Sequence, residues 1–330
     1  MGHANETRRS GSRPSYDGAV ARLGSTDLDV FPLCLGTNIF GWTADERQSF
    51  AVLDAYATAG GNFIDTADMY SAWAPGNSGG ESETIIGRWI ASRGNRDAMV
   101  IATKVGRLAG LADLRAGTIH AAVEGSLRRL QTDHIDLYYA HGDDDRSIPL
   151  EETLRAFDEL ARSGKVRHVA ASNYEPGRLA DALAVSEREG LAPYVALQPR
   201  YNLVERGYEA ELEPLCSEHG LPCVPYFALA VGFLTGKYRP GGAEVDSARA
   251  GSASGYLDDR GVRVLAALDA VAAAHGTRPA AVALAWLLSR PTVAAQIASA
   301  RTPQQLAELL EFVDLGLTDE DLGALDRASR

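Results

Sequence analysis

The amino-acid sequence predicts an α/β protein: a single (β/α)8 (TIM) barrel with an N-terminal β-hairpin and extra C-terminal helices. Apolar strand-like runs alternate with helical patterns. Seven successive runs start roughly 28 to 37 residues apart, about one strand–helix unit each. The turn after the first run reads Gly36-Thr-Asn-Ile-Phe-Gly41, without the G-x-G-x-x-G of a doubly wound dinucleotide-binding sheet. A closed barrel is therefore favoured over an open sheet.

The length and composition are those of a globular protein: 330 residues, 45% hydrophobic and 23% charged. Residues 1–17 are polar and rich in Arg, Ser and Gly, so we predict a disordered tail there and one barrel domain over 18–330. The net charge of −12 argues against a nucleic-acid partner but allows a local basic pocket. No apolar run reaches the roughly 18 residues of a membrane span. Three cysteines without a CxxC motif favour reduced thiols and a cytoplasmic location.

The individual elements follow from turn-forming residues and apolar periodicity. A β-hairpin is predicted within 18–32. Thr43-Ala-Asp-Glu46 has capping-box spacing and opens a helix that runs to about Ala59, where Gly60-Gly61 ends it. Barrel strands are predicted to start at 33, 62, 99, 135, 166, 194, 223 and 293. Further helices are predicted over 81–92, 118–131, 151–163, 176–189, 206–219, 262–275, 279–289, 303–312 and 319–328.

Each predicted strand leaves polar or aromatic residues at its C-terminal end, where barrel enzymes place their chemistry. Singly these residues have plain structural explanations: Asp65 could cap a turn, Lys104 could be a solvated strand end, and His141 could be structural. Together on one rim they predict a catalytic site. The rim residues are Thr37, Asp65, Lys104, His141, Ser172, Asn173, Gln198, Tyr226, Ser299 and Arg301.

Tyr70 adds a phenol to this rim from a predicted loop that follows Asp65. A phenol has an ordinary pKa near 10, and the ammonium of Lys104 beside it is expected to lower that pKa. Asp65 would make burial of Lys104 tolerable, and His141 could orient a carbonyl oxygen by a hydrogen bond. The set suits protonation of an oxygen on which negative charge develops. Because no side chain supplies a hydride, a cofactor must.

Other chemistries receive less support from the sequence. No Ser or Cys nucleophile with an adjacent base is evident, so acyl transfer is not predicted. Asp143-Asp144-Asp145 are expected to form a solvated turn, and no His/Cys/Asp spacing fits zinc, so we predict no metal. A lyase or isomerase that uses Lys104 as a Schiff base is a further hypothesis from another class.

The chain resembles the aldo-keto reductases over nearly its whole length, from about Arg22 to Ala328. Each matching stretch is weak alone, but together and in this order they are highly specific. The stretches are Leu33-Cys-Leu-Gly-Thr, Gly61-Asn-Phe-Ile-Asp-Thr-Ala-Asp-Met-Tyr70, Ala102-Thr-Lys104, Gly164-Lys-Val-Arg-His with Ala171-Ser-Asn173, Gln198-Pro-Arg-Tyr-Asn202, Gly232-Phe-Leu-Thr-Gly-Lys-Tyr238, and Ala300-Arg301 with Gln305-Leu-Ala-Glu308.

The resemblance implies NADP(H), bound extended across the barrel mouth, and a catalytic tetrad with Tyr70 as proton donor beside Asp65, Lys104 and His141. It implies that Tyr226 stacks on the nicotinamide. An Arg such as Arg301 suits the 2′-phosphate and favours NADPH over NADH. The implied cofactor residues are Thr37 and Asp65; Ser172, Asn173 and Gln198 at the carboxamide; Tyr226, Ala228 and Leu229; Gly232, Leu234 and Lys237 at the pyrophosphate; and Ser299, Arg301, Gln305 and Glu308 toward the adenine end.

Three positions depart from the common pattern of that family. His141 is followed by Gly142-Asp-Asp where many members have x-Pro-Asp. Phe227-Ala-Leu229 replaces Ser-Pro-Leu, which removes hydroxyl and proline contacts to the cofactor, and Leu309 stands where Asn is frequent.

The leading functional prediction is NADP(H)-dependent reduction of a small-molecule aldehyde or ketone to an alcohol. Trp42, Trp73 and the long loop from Gly236 to Gly261 are predicted to shape the substrate pocket, although the two aromatics could equally pack the rim. The alternative is a cofactor-binding regulatory subunit with little turnover. No membrane or nucleic-acid partner is expected, and no oligomeric state is predicted.

Overall fold

The computed structural model describes residues 20–243 and 245–330, so the tail predicted over 1–17 lies outside the described residues. A hairpin of β1 (Ala21–Arg22) and β2 (Asp29–Val30) comes first, as predicted. The parallel strands are β3 (Leu33–Gly36), β4 (Phe63–Asp65), β5 (Val100–Val105), β6 (Ile135–Ala140), β7 (Val166–Ser172), β8 (Tyr194–Gln198) and β9 (Gln296–Ala298). They form one curled sheet in the order β8-β7-β6-β5-β4-β3-β9, which confirms the barrel prediction.

The segment predicted as the seventh barrel strand, at 223, is not a regular strand. Cys223 makes isolated parallel bridges to Leu197 of β8 and to Val293 before β9. The N–H of Val224 donates to the carbonyl of Leu197 at 2.9 Å, and the N–H of Ala294 donates to that of Cys223 at 3.0 Å. Prolines on either side of Cys223 and Val224 have no N–H to donate, so the ladder is interrupted while the barrel still closes.

Helices surround the sheet, and successive helices pack against one another from the first to the sixth and from the eighth to the tenth. The predicted helices are confirmed with bounds shifted by a few residues, whereas α7 interrupts a segment predicted to be loop. The helices are α1 (Glu46–Thr58), α2 (Glu81–Arg93), α3 (Ala116–Leu130), α4 (Leu150–Arg162), α5 (Pro176–Glu189), α6 (Tyr208–Glu218), α7 (Ala250–Ser254), α8 (Asp259–His275), α9 (Pro279–Leu288), α10 (Pro303–Leu310) and α11 (Asp319–Ser329). Within the described ranges, no helix is long and apolar enough to cross a membrane.

The predicted capping box of α1 is present but lies two residues later than expected. The N–H of Gln48 donates to the Asp45 carboxylate at 2.7 Å, and the N–H of Asp45 donates to the Gln48 side chain at 3.0 Å. Asp45 is therefore the N-cap, because its carboxylate satisfies an N–H of the first turn that has no partner within the helix.

The hairpin closes the N-terminal end of the barrel. Leu23, Leu28 and Val30 are buried in the same apolar cluster as the inward-facing residues of the strands, such as Phe63 and Leu137. This packing leaves the opposite end, where the strands terminate in polar residues, as the open end of the barrel.

Tyr56 ties α1 to the first two barrel strands through a buried hydroxyl. Its Oη lies 2.5 Å from the carbonyl oxygen of Leu33 and 2.9 Å from that of Phe63, and it accepts from the N–H of Phe63 at 3.1 Å. The hydroxyl therefore satisfies backbone groups of both β3 and β4, at the first residue of each strand.

We expect Tyr56→Phe to lower the free energy of unfolding by roughly 1 to 3 kcal/mol, because buried backbone groups lose their partner. Urea denaturation measures the change. Tyr138→Phe is the matched control: its hydroxyl is also buried but has no hydrogen-bond partner in the described part of the chain, so its loss should be neutral or slightly stabilising. Equal losses of unfolding free energy in the two variants would contradict the role of the Tyr56 hydroxyl as the partner of buried backbone groups.

Candidate active site

A cleft of about 640 Å³ lies at the C-terminal ends of the parallel strands. Most of the predicted site residues line it: Trp42, Asp65, Tyr70, Trp73, His141, Ser172, Asn173, Gln198, Tyr226, Ala228, Leu229, Gly232, Lys237, Ser299, Arg301, Gln305 and Glu308. Thr37, Lys104 and Leu234 do not line it, and each is completely buried. Thr37 supports the site indirectly, because its hydroxyl donates to the backbone carbonyl of Asp65 at 2.8 Å.

Lys104 on β5 holds the centre of the site together. Its Nζ lies 2.6 and 2.7 Å from the two carboxylate oxygens of Asp65, at the end of β4. Nζ also lies 2.8 Å from the carbonyl oxygen of Thr66 and 2.8 Å from the Oη of Tyr70. A buried charge is tolerated only when it is paired and hydrogen-bonded, so these contacts fix the positions of all the side chains involved.

The phenol of Tyr70 lines the cleft together with Asp65, whereas Lys104 does not. Lys104 donates to its oxygen, so the phenolic proton is directed to Asp65 Oδ2, 3.1 Å away. A carbonyl oxygen entering the cleft can compete with that carboxylate for the same proton. Tyr70 can therefore donate a hydrogen bond into the cleft. If it lost its proton, the phenolate would already be paired with the ammonium of Lys104.

The pKa of Tyr70 is raised well above its ordinary value, first by burial and then by the adjacent Asp65 carboxylate. Burial lowers the pKa of Lys104, and Asp65 opposes that shift. The expectation that Lys104 lowers the pKa of Tyr70 is therefore wrong for this site, because loss of water and the carboxylate outweigh the ammonium. Tyr70 keeps its proton at neutral pH, as a proton donor must.

His141, which follows β6, stands beside Tyr70 as a neutral imidazole. It is 8% exposed, and its ring is edge-on to that of Tyr70 with 6.1 Å between the centroids. Burial lowers the pKa of His141 well below its ordinary value, and the charges of Lys104 and Arg107 lower it further. A neutral ring offers one N–H donor and one acceptor without adding charge to the cleft.

Asp68 lies buried behind the catalytic group, in the turn between Asp65 and Tyr70. Neither of its carboxylate oxygens has a hydrogen-bond partner in the described residues. Burial, reinforced by the nearby Glu83, raises the pKa of Asp68 to about 8. Asp68 is therefore mostly protonated at neutral pH and adds little negative charge near Lys104.

A hydrogen-bonded row of polar side chains forms the adjoining wall of the cleft. Asn173, in the left-handed conformation with φ 55°, donates through Nδ2 to the carbonyl of His141 at 2.8 Å. The Tyr226 hydroxyl donates to Asn173 Oδ1 at 2.7 Å, and Ser172 Oγ donates to the carbonyl of Gln198 at 3.0 Å. The Gln198 amide donates to Asp65 Oδ1 at 2.9 Å, so it also holds the carboxylate that pairs with Lys104.

The loop after Tyr226 has an unusual backbone where it lines the cleft. Phe227, Ala230 and Val231 have φ of 54°, 46° and 51°, and Gly232 has φ of 98°. Such angles are costly for residues with a side chain, especially a β-branched one, and strained backbone clusters at functional sites. Backbone N–H groups in such turns can converge to bind an anion.

Three cations that line the cleft are unpaired in the described ranges. Lys237, Arg249 and Arg301 form no ion pair with any carboxylate of the described ranges, whereas Arg278 is paired with Glu308 at 3.8 Å. Unpaired cations in a chain of net charge −12 indicate an anionic ligand. Lys237 and Arg301 were predicted, but Arg249 was not, because no strand pattern marks its long loop.

The long loop reaches across the cleft toward the first barrel strand, as predicted for a pocket-shaping segment. Arg249 Nη2 donates to Asn38 Oδ1 at 3.0 Å, and its guanidinium lies 5.9 Å from the Trp42 ring centroid. Trp42 and Trp73 meet edge to face with 5.7 Å between their centroids. Two aromatic surfaces therefore border the cleft close to Tyr70, whose ring centroid is 6.2 Å from that of Trp73.

The acidic run after His141 differs from the expected solvated turn. Asp144 and Asp145 are exposed, but Asp143 is 6% exposed and ion-paired with Arg178. No group of three or more His, Cys, Asp or Glu side chains in the described residues could hold a metal ion.

We expect the buried His141 to make stability pH-dependent. The unfolded chain protonates this ring near pH 6.5 and the folded chain resists protonation, so unfolding takes up protons and stability is lost as pH falls below that value. His141→Gln should show a smaller decline in free energy of unfolding than wild type between about pH 7.5 and 5.5. Urea denaturation at both pH values measures this, and equal declines would contradict a depressed pKa.

Comparison with known proteins identifies the class to which this fold and site belong. The family model described as "Aldo/keto reductase family" matches residues 32–330, and the chain belongs to that family of oxidoreductases. It is 36% identical over 313 residues to the uncharacterized oxidoreductase YrpG of Bacillus subtilis, covering 92% of this chain and 94% of the relative. It is 31% identical over 333 residues to the protein tas of Escherichia coli, covering 92% and 96%.

The name of a third relative states an activity. The chain is 33% identical over 312 residues to the norsolorinic acid reductase stcV of Emericella nidulans, with 89% of this chain and 77% of the relative covered.

Proposed function

We propose that the protein reduces an aldehyde or ketone to an alcohol with NADP(H) as the hydride source. The observation that carries this proposal is the protonated Tyr70 phenol, facing the cleft with its oxygen 2.8 Å from Lys104 Nζ. A carbonyl oxygen that gains a hydride at its carbon needs a proton, and Tyr70 is placed to give one. The relative named as a norsolorinic acid reductase supports the reductive direction.

The residues of the cleft fit a nicotinamide dinucleotide phosphate. Lys237 and Arg301 offer unpaired positive charge for the phosphate groups, and the strained turn from Phe227 to Gly232 offers backbone N–H groups. Ser172, Asn173 and Tyr226 offer polar and aromatic contacts at the other end. Bound there, NADPH would supply the hydride.

Tyr70 acts as the general acid in the proposed mechanism. As negative charge develops on the substrate oxygen, the phenolic proton moves from Tyr70 Oη to that oxygen. The phenolate left behind is stabilised by Lys104, which already donates to Oη, while Asp65 balances the ammonium. The high pKa of Tyr70 keeps the proton on the phenol until the substrate oxygen becomes strongly basic.

His141 positions the carbonyl in this mechanism. Its neutral ring can donate a hydrogen bond to the substrate oxygen without competing with Tyr70 as an acid. Trp42 and Trp73 provide apolar walls for the rest of the substrate, so we propose that these tryptophans form the substrate pocket.

Three buried free cysteines accord with action in the reducing cytoplasm.

The Schiff-base hypothesis finds less support. Lys104 has no exposed surface, and its Nζ is surrounded by Asp65, Thr66 and Tyr70. A substrate carbon could reach this nitrogen only after its hydrogen bonds to Asp65, Thr66 and Tyr70 had been broken. Lys104 therefore suits an electrostatic role.

Tyr70→Phe tests the proposed function. We expect the rate of NADPH consumption with aldehydes and ketones to fall about 10²- to 10⁴-fold while NADPH binding persists, because only the proton donor is removed. Nicotinamide absorbance gives the rate, and quenching of tryptophan fluorescence gives binding.

Tyr138→Phe is the control, because it removes a buried hydroxyl that has no partner in the described chain and does not line the cleft. It should keep the wild-type rate. NADPH binding without turnover by the wild-type protein on a broad carbonyl panel would instead favour the regulatory-subunit alternative.

Arg301→Ala tests the cofactor preference. Losing a charge-assisted contact to the 2′-phosphate should reduce the ratio of NADPH to NADH affinity by roughly ten- to a hundredfold. Fluorescence titration with both nucleotides measures this ratio. Arg278→Ala is the control, since Arg278 lines the same cleft but is already paired with Glu308 and Glu311. An unchanged ratio of NADPH to NADH affinity in Arg301→Ala would overturn the proposed contact between Arg301 and the 2′-phosphate.

A further inference from the structure

Arg107 is a cation of the cleft that the proposed cofactor contacts leave unexplained. It follows β5 and lines the cleft together with Tyr70, His141 and Trp73. Its positive charge acts on His141: burial and the charge of Lys104 are the larger causes of the lowered pKa of His141, and the charge of Arg107 lowers it further. Arg107 therefore lies close to the proposed hydrogen-bond donor for the substrate carbonyl.

Gly142 makes the room that Arg107 occupies. A Cβ atom at position 142 would lie 2.4 Å from Nη2 of Arg107 and 3.0 Å from its guanidinium carbon, so the flexible end of Arg107 would have to shift to make room for it. The missing side chain and the arginine are thus two parts of one local arrangement beside His141.

The existing partner of Arg107 holds it only weakly. Arg107 Nε and Nη2 lie 3.2 and 3.3 Å from the two carboxylate oxygens of Asp144. The Asp144 side chain is 71% exposed, and exposed ion pairs contribute little free energy. In contrast, neighbouring Asp143 is buried against Arg178. The guanidinium can therefore exchange Asp144 for an anionic group inside the cleft at small cost.

We propose that Arg107 forms an anion subsite of the substrate cleft, so that the preferred substrates are aryl aldehydes or ketones that carry a carboxylate. This rests on the proposed function. The planar guanidinium binds a carboxylate through two parallel hydrogen bonds, and Trp42 and Trp73 offer faces for an aromatic ring. His141 and Tyr70 then receive the carbonyl oxygen at the other end of the same molecule.

A binding experiment tests the subsite independently of turnover. Para-carboxybenzaldehyde and its neutral methyl ester have nearly the same shape and differ in charge. Isothermal titration of each into the wild-type protein, with NADP+ present to prevent reduction, gives the ratio of their affinities. We expect the acid to bind roughly tenfold more tightly than the ester, as for a charge-assisted pair that is partly exposed to water.

Variants then assign that ratio to Arg107. Arg107→Gln should bring the ratio close to one. Arg107→Lys should keep part of the ratio, because the positive charge remains while the two parallel hydrogen bonds are lost. Gly142→Ala should lower the ratio by less than Arg107→Gln, because the guanidinium is shifted but its charge remains. Arg115→Gln is the matched control: Arg115 is also close to the acidic run, 3.6 Å from Asp145, but does not line the cleft. It should keep the wild-type ratio.

The outcomes separate the subsite from the reductase. Equal binding of acid and ester by the wild-type protein would overturn the subsite. So would an unchanged ratio in Arg107→Gln with weakened NADP+ binding, since the cation would then serve the cofactor. Arg107-dependent binding of the acid without its reduction by NADPH would support the subsite and contradict the proposed function.

Discussion

The buried ion pair between Lys104 and Asp65 is the interaction on which the site depends. Lys104 has no exposed surface, and an ammonium in such a position is tolerated only with a carboxylate and further acceptors around it. Asp65 provides the carboxylate, Thr66 a carbonyl, and Tyr70 the phenol oxygen. The need to satisfy one buried charge therefore fixes the position of the Tyr70 phenol, and the Gln198 amide donates a further hydrogen bond to Asp65 at 2.9 Å.

The parallel barrel is what brings these groups together. Asp65 ends β4 opposite Ala102 of β5, and Lys104 follows Ala102 on the same strand. His141 follows the next strand, so adjacent strands in the sheet deliver adjacent members of the site. The hairpin seals the other end of the barrel with apolar side chains. Polar groups are thus confined to one rim, where loops of very different sequence can alter specificity around a constant centre.

Much of this arrangement could be predicted from the sequence, because strand period and strand-end chemistry are local patterns. Asp65, Tyr70 and His141 fall where the pattern places them. What the pattern missed depends on contacts between distant residues. Prolines interrupt the strand at 223 although the barrel closes, and burial raises the pKa of Tyr70 where an ammonium alone would lower it. Arg107 and Arg249 lie in loops, so only the folded chain shows that they face the cleft.

A double-mutant cycle on Lys104→Met and Asp65→Asn tests the central claim most directly. Free energies of unfolding would be measured by urea denaturation for wild type, both single variants and the double variant. The buried-pair account predicts that Lys104→Met alone costs about 3 to 5 kcal/mol, because Asp65 is left as an uncompensated buried charge. It also predicts that the double variant is markedly more stable than the sum of the single losses would make it. Additive losses would mean that the two residues do not depend on each other, and the account of how Tyr70 is positioned would fail.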